Sequence, residues 1–485
     1  PWRLPEQSGE VRGGLPRFLA DVLRSRGLEG EAARQFLEAA PPLSDPMAMR
    51  DMAAAAQRVC GAVAAGERIL IFGDFDCDGI TATVLLYDYL ERCGADVLYY
   101  IPERETEGYG LSKAAVDRAK AAGVRLLITV DNGIAALEEA AYAKEQGLDL
   151  LITDHHIPRE QLPQAVAVLD PHRADCPYPN RDLCGAAVAF MLVCAMEGEE
   201  PELLLEQYGD LVVLATLADS VPLVGENRTL VKLGMKALAE TRRPGLLALA
   251  EEAGLDLGRE DTELVTFGLA PRINVTGRIG SVDLAVELLL CEDEERAAQL
   301  AGEVNRLNGR RREMEAEVAA DIKALAAREP AILHQRVLVF AGRGWHRGII
   351  GITAARMAER YGKPCIILST EDGEARGSAR SVGEYDMIAA IHRCGGLLTK
   401  YGGHPMAAGL TLPQENVEAF TRAILQDAAE RYPHMPLPTL DIDAVLSPEE
   451  ATLDNIHLLQ KLAPFGQGNP QPVLALLDQP ITAIT

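Results

Sequence analysis

Three carboxylates, Asp74, Asp76 and Asp78, fall within five residues of the stretch RILIFGDFDCDGIT at 68–81. Two such charges ~5 Å apart repel by roughly 3 kcal/mol at an effective dielectric near 20, so a fold that gathers them needs protons or cations. A divalent metal is the natural answer. Three further features offer similar chemistry: Asp131-Asn132-Gly133, the triplet Asp154-His155-His156, and Asp219, which closes the apolar run in YGDLVVLATLADSVPL. Neutral imidazoles beside a carboxylate suit a transition metal better than they suit a core. Taken singly, Asn-Gly is a common turn, Asp219 is a polar helix end, and the first acidic turn could be merely solvated.

The first turn also admits two narrower readings. DFDCDG matches the opening of a calcium loop of the EF-hand type, but such a loop needs Glu at its twelfth position, and here that position is Leu85. DCDG has the Asp-x-Asp-Gly of haloacid-dehalogenase phosphatases, without an evident later lysine and acid pair. Neither accounts for the acids and imidazoles downstream.

The elements that would position these residues follow from hydrophobic rhythm. From 68 to 170 apolar strand-like runs at 68–73, 96–101, 124–130, 148–153 and 166–169 alternate with helices starting near Gly79, Ser112 and Ile134, the pattern of a doubly wound parallel sheet. The acids and imidazoles follow three of these strands, at the edge where open α/β sheets bind ligands. Residues 1–67 read as helices ahead of the first strand, and 185–300 as mainly helical. Residues 302–328 read as a long exposed helix bridging two domains, with Arg310, Arg311 and Arg312 on a solvated face.

A second α/β unit follows, with strands at 336–341 and 365–369, a helix from about Gly348, a polar turn GSARS at 377–381, and helices near 385–393 and 414–430. It holds no acid cluster. Its Gly342, Gly344, Gly348 and Gly351 allow backbone to approach an anion near a helix N-terminus, and Ser378 and Arg380 add a hydroxyl and a fork donor suited to phosphate. Trp345 and Tyr109 are candidate base-stacking surfaces. YPHMPLP at 432–438 reads as a linker, and PFGQGNPQPVLALL at 464–477 begins a β-like module.

Composition bounds the partners. Lys and Arg number 47 against 72 Asp and Glu, a net charge of −25, which argues against indiscriminate nucleic-acid binding and leaves room for a local basic groove. Nine Cys without a CxxC pair fit reduced cytoplasmic thiols and offer neither a zinc knuckle nor a disulfide frame. No apolar run is long enough to cross a bilayer. The opening PWRLPEQSGE has no secretory signal, and the missing initial Met suggests a trimmed chain.

Together and in this order, the four acid features resemble the DHH phosphoesterase superfamily, whose signature is an Asp-rich first motif, a second Asp, the Asp-His-His triplet and a fourth Asp. IPERETEGYGLS at 101–112, INVTGRIG at 273–280, GWHRGIIGITAARMAERYGKPCII at 344–367, GSARS, GGHPMAAG at 402–409 and PFGQGNP at 464–470 look like the RecJ family of single-strand-specific exonucleases. The resemblance runs over essentially the whole chain.

It implies an α/β protein: a doubly wound parallel-sheet DHH domain plus a smaller α/β DHH-associated domain, joined by the long helix, with the start of a C-terminal OB-like module. The implied boundaries are 1–67 for an N-terminal helical region, 68–301, 302–330 for the helix, 331–435, and 436–485 for a truncated OB-like domain. The implied activity is metal-dependent 5′-to-3′ hydrolysis of single-stranded DNA to 5′-mononucleotides in repair and recombination. A DHH-family phosphatase, a short-oligoribonucleotide hydrolase and a non-catalytic replication scaffold are the alternatives. Asp76 and Asp131 would hold one divalent ion, with Asp74 beside it at the metal site, and Asp78, Asp131, His155 and Asp219 a second, with Mn2+ preferred and Mg2+ possible. Asp76, Asp78, Asp131 and His156 would be catalytic, His156 facing the scissile phosphate. Arg104, Arg278, Ser378 and Arg380 would read a terminal 5′ phosphate, and His404 could touch the strand or cap a turn. The resemblance further implies a cytoplasmic monomer, single-stranded DNA as partner, a single-strand-binding protein and a helicase as associates, and no membrane.

Overall fold

The structure is a computed structural model and describes residues 1–5, 15–38, 41–104, 106–432 and 439–480. Most of the linker expected at 432–438 lies outside the described residues. The chain divides into two compact units, one of Leu4–Leu307 with Asp441–Thr485 and one of Asn308–Leu440 with Pro1–Arg3.

The first unit opens with α1 (Arg17–Ser25), α2 (Gly30–Glu38) and α3 (Met52–Ala64). An alternating series follows: β1 (Ile69–Phe72), α4 (Cys77–Arg92), β2 (Val97–Tyr100), α5 (Lys113–Ala121), β3 (Leu126–Val130), α6 (Leu137–Glu145), β4 (Asp149–Thr153) and β5 (Ala167–Leu169). All five strands are parallel, in the order β2-β1-β3-β4-β5. The order reverses between β1 and β3, and such a switch point opens a crevice at the strand carboxyl ends.

The strands read as unbroken apolar runs because both faces are covered. Ile69, Ile71, Leu126, Ile128 and Leu151 join a core with α3, α4 and the later helices. Leu70, Phe72, Leu127, Leu150 and Ile152 face the other way, against α5 and α6. The expected strands thus stand, the first two trimmed at both ends and the other three at the N-terminal end.

Six helices follow: α7 (Gly185–Glu197), α8 (Pro201–Ala218), α9 (Gly225–Ala239), α10 (Pro244–Ala253), α11 (Ala270–Ile279) and α12 (Asp283–Leu290). Every residue of α7 from Gly185 to Cys194 is buried, as suits a helix that is apolar all round. The long helix α13 spans Glu294–Arg328, starting eight residues earlier than expected.

The second unit carries β6 (Leu338–Arg343), α14 (Arg347–Tyr361), β7 (Cys365–Glu371), β8 (Glu374–Arg380), α15 (Met387–Arg393), β9 (Lys400–His404), β10 (Ala407–Pro413) and α16 (Val417–Arg431). Its sheet runs β9-β10-β8-β7-β6, with β6 and β7 parallel and the other pairs antiparallel. Two expectations are corrected here. GSAR is the end of strand β8 and not a turn, with Ala375 and Ala379 buried and Arg376, Ser378 and Arg380 on the alternate face, the period of a strand. Arg311 does not lie on a solvated face. It is 8% exposed and its Nε lies 3.3 Å from Glu315, which in turn pairs with Arg356 at 2.5 Å, so the charge is matched within the packing.

At the C-terminal side of the first unit, β11 (Ala444–Leu446), α17 (Leu453–Gln460) and β12 (Leu474–Leu476) are described, the two strands pairing in parallel. Phe18, Leu19, Val22 and Leu23 of α1 pack with Ala444 and Leu462, so α1 belongs with the C-terminal segment, while Met52, Ala55, Val59 and Ala62 of α3 join the core of the parallel sheet. No helix among the described residues is long and apolar enough to cross a membrane.

Candidate metal centre

The turn after β1 is built by helix capping. Asp76 precedes α4 and accepts the amides of Asp78 and Gly79 at 3.0 and 3.1 Å, the bonds an N-cap residue makes. Asp78, in the first turn of α4 and 2% exposed, accepts from Gly185 N at 2.6 Å and Ala186 N at 2.7 Å. The amide end of α7 therefore holds this carboxylate, where the helix dipole favours negative charge. Gly185 is required by close approach, since a Cβ there would lie 2.6 Å from Asp131 Cβ.

Asp131 follows β3 with φ +59° and is anchored by its amide to Thr153 O at 3.0 Å. Asp154 follows β4 and accepts from Ile134 N at 2.8 Å, His155 N at 2.8 Å and His156 Nδ1 at 2.7 Å. His155 turns Nε2 toward Asp131 at 3.1 Å, Asp78 at 3.7 Å and Asp219 at 3.8 Å. Its carbonyl accepts from His172 Nδ1 at 2.6 Å.

Three groups of ligand atoms result, each within 4.8 Å: Asp74, Asp76 and Asp131; Asp78, His155 and Asp219; and Asp131, His155 and His156. Every expected metal-ligating side chain stands in one of them. Burial and mutual repulsion set their ionisation. Burial, then Asp76, pushes Asp74 up to about 8, and burial with neighbouring acids raises Asp78 and Asp131 well above the carboxylate range. Asp219, with its side chain 30% exposed, is raised by burial and Asp76 to about 7. Burial and His156 hold His155 down at about 4, so its ring is neutral. For His156 burial opposes charge, but the hydrogen bond and charge of Asp154 outweigh it and carry the ring up to about 9. Asp74 Oδ1 and Asp131 Oδ1 are buried without a hydrogen-bond partner. Acids gathered against their own repulsion, with orphaned oxygens and a neutral imidazole, form a donor set suited to divalent cations.

The rim is basic and aromatic. Arg104 stacks over Phe75 at 5.0 Å, and Tyr109, 58% exposed, meets Phe75 edge-on at 6.3 Å. The Tyr109 hydroxyl is 3.4 Å from both His156 Nε2 and Asp131 O. Arg278 lies in the last turn of α11, whose Asn274 accepts the Cys77 amide at 2.9 Å. Arg104 and Arg278 are thus brought beside the acidic turn. Sequence reasoning missed Asn274 and the part played by Asp154; the second could have been found, since imidazoles at metal sites lean on adjacent carboxylates.

On the second unit, Arg380 donates to Ser378 Oγ at 3.1 Å and to Ala379 O at 2.9 Å. A Cβ at Gly351 would lie 3.2 Å from Ser378 Oγ and 3.4 Å from Arg380, so the α14 backbone runs close to both. His404 is exposed at the end of β9. Trp345 is not a stacking surface: it is 6% exposed and its Nε1 donates to Asp321 at 3.0 Å, because the Gly342 backbone leaves room for the indole to pack.

Comparison with known proteins places this geometry. Residues 68–216 match the DHH family, N-terminal domain, residues 332–430 the DHHA1 domain and residues 442–485 the RecJ OB domain. The chain is 40% identical over 460 residues to the single-stranded-DNA-specific exonuclease RecJ of Bacillus subtilis (strain 168), covering 94% of this chain and 58% of that one. It is 34% identical over 493 residues to the protein of the same name from Salmonella typhimurium, covering 97% and 85%. The crystal structure of RecJ in complex with Mn2+ from Thermus thermophilus matches with a TM-score of 0.81 at 31% identity, over 94% of this chain and 65% of that one. The chain therefore spans under two thirds of the Bacillus and Thermus proteins. On the identity and coverage shared with the Salmonella protein, and with all three domain matches in order, the chain belongs to the RecJ family.

Proposed function

We propose that this chain is a divalent-metal-dependent exonuclease that hydrolyses single-stranded DNA from its 5′ end and releases 5′-mononucleotides. The observation that carries the reading is the convergence of Asp74, Asp76, Asp78, Asp131, His155 and Asp219 at the switch point of the parallel sheet. Asp74, Asp76 and Asp131 would hold one ion, and Asp78, Asp131, His155 and Asp219 a second. Such ions, when bound, polarise a phosphate oxygen and lower the pKa of bound water. The imidazole in the set favours Mn2+, with Mg2+ able to serve.

The chain's own groups do the rest. Asp78, whose two oxygens each accept one backbone amide, and Asp76, whose Oδ1 accepts two, are oriented by those bonds, so their remaining lone pairs are set in advance. Asp154 holds His156 as the imidazolium, so that Nδ1 donates to Asp154 and the Nε2 proton is left to donate to a phosphate oxygen. Arg104 and Arg278 supply positive charge beside Phe75, and Ser378 with Arg380 supplies a hydroxyl and a fork donor for a terminal 5′ phosphate; His404 is an exposed candidate contact for the strand. The domain boundaries at 68–301, 302–330 and 331–435, a monomeric state, a cytoplasmic location, and association with a single-strand-binding protein and a helicase in repair and recombination belong to the same proposal and rest on family membership.

The test is a substrate panel of 5′-phosphorylated single-stranded DNA, duplex DNA, a diribonucleotide and pyrophosphate, each with Mn2+ and with Mn2+ plus chelator. The single strand should be turned over fastest, and only without chelator. Faster turnover of pyrophosphate or of the diribonucleotide would replace the proposal with a DHH-family phosphatase or oligoribonucleotide hydrolase.

A further inference from the structure

The motif PFGQGNP is remote in sequence from the metal centre, yet it lies against the loop that follows Asp219. Ser220, the next residue, has φ +57°, a conformation that L side chains adopt only when their surroundings impose it. Two contacts hold the residues that follow it. Asn227 Nδ2 donates to Pro222 O at 3.1 Å, and Leu223 N donates to Gln467 O at 2.7 Å.

The motif's glycines allow that approach. A Cβ at Gly466 would lie 2.7 Å from Leu223 Cδ1, and Gly468, at φ +71°, would place one 3.1 Å from Pro222 Cβ. Asn469, 1% exposed, shapes the loop from within by donating to Leu462 O at 2.8 Å and Pro464 O at 2.7 Å. Arg26 bonds Asn469 Oδ1 and Pro470 O, Arg228 donates to Leu462 O at 2.8 Å, and Thr262 Oγ1 donates to Phe465 O at 2.8 Å. The loop is therefore rigidly held on one side and pressed on 222–223 on the other.

We propose that the loop at 464–470 is a positioning element for the metal centre: by clamping Pro222 and Leu223 it fixes the left-handed turn at Ser220 and so sets the Asp219 carboxylate. The C-terminal segment then contributes to cation binding independently of any strand it contacts. This rests on the reading of Asp219 as a ligand.

The test titrates Mn2+ alone into the full chain by calorimetry, with circular dichroism and thermal melting alongside. Gly466→Ala should weaken Mn2+ binding about 10-fold, the scale of a lost outer-shell support, in a chain that remains folded. Adding Leu223→Ala to it removes the atoms the new methyl meets and should restore affinity toward the parent value. Asn469→Ala, which adds no atom, should also weaken binding and decides the matter if Gly466→Ala fails to fold. Parent-like Mn2+ affinity in a folded brace variant, with only the melting temperature lowered, would overturn the proposal. Should Asp219→Asn itself leave Mn2+ binding unchanged, the ligand assignment fails instead, and that outcome is distinct from failure of the brace.

Discussion

In the first unit the loop after β1 runs into α4 and carboxylates take up the helix amides, whereas in the second the loop after β6 runs into α14 and an imidazole does. Asp76 accepts from Asp78 N and Gly79 N, and Asp78 from the start of α7; His346 accepts from Gly348 N at 3.1 Å. One strand-to-helix edge thus collects negative charge in excess of what its amides satisfy. The other carries no acid cluster and presents Ser378 and Arg380 beside a bare stretch of helix backbone at Gly351. In the proposed reading the same local architecture serves cations in one case and phosphate in the other, and side-chain charge decides which.

Removing the shared acid should break the contrast most severely. Asp131→Asn takes charge from two of the three ligand groups and should lower mononucleotide release about 1,000-fold, the several kcal/mol that metal charge stabilisation supplies. Mn2+ binding should fall in parallel by calorimetry. Asp154→Asn leaves the carboxylates of those groups in place but loosens His156 and should lower kcat roughly 10- to 100-fold with KM little changed, as outer-shell changes do.

Arg380→Ala tests the other edge. It should slow attack on 5′-phosphorylated single strands about 10-fold, the scale of one charge-assisted hydrogen bond, and leave 5′-hydroxyl strands nearly unaffected. Equal slowing of both would remove the distinction between the two edges.

The last effect is thermal. Asp74, raised by burial to about 8 when folded, binds its proton more tightly than the unfolded chain does, so the stability it confers is present at low pH and lost as pH rises through 8. Between about pH 6.5 and 8.5 the metal-free protein should lose about 2 kcal/mol from this group. Asp219, near 7, and His156, near 9, act in the same sense, while His155, held at about 4, stays neutral across that window. Melting temperatures with and without Mn2+ check it: the fall with pH should shrink or reverse when cations replace the protons.

Much of the first unit is legible in the sequence because its strands are short apolar runs that end in acids, and strand ends converge by topology. Leu85 excludes a calcium loop from the sequence alone, and in the structure it is a buried residue of α4. GSARS was hidden because Gly, Ser and Ala carry little strand propensity, and its pairing with β7 and β10 supplies the register instead. Arg311 reads as solvated in a charged helix until Arg356 arrives from α14. The hold of α7 on Asp78, and of 464–470 on Leu223, joins residues far apart in the chain, and no local pattern announces such contacts.

The central claim is best tested by following one 5′-phosphorylated single strand, labelled in separate preparations at its 5′ or 3′ end, through Mn2+-dependent digestion. The 5′ label should appear first, as a mononucleotide, while the 3′ label stays on long products. Early release of the 3′ label, or release of either label in the presence of chelator, would contradict it.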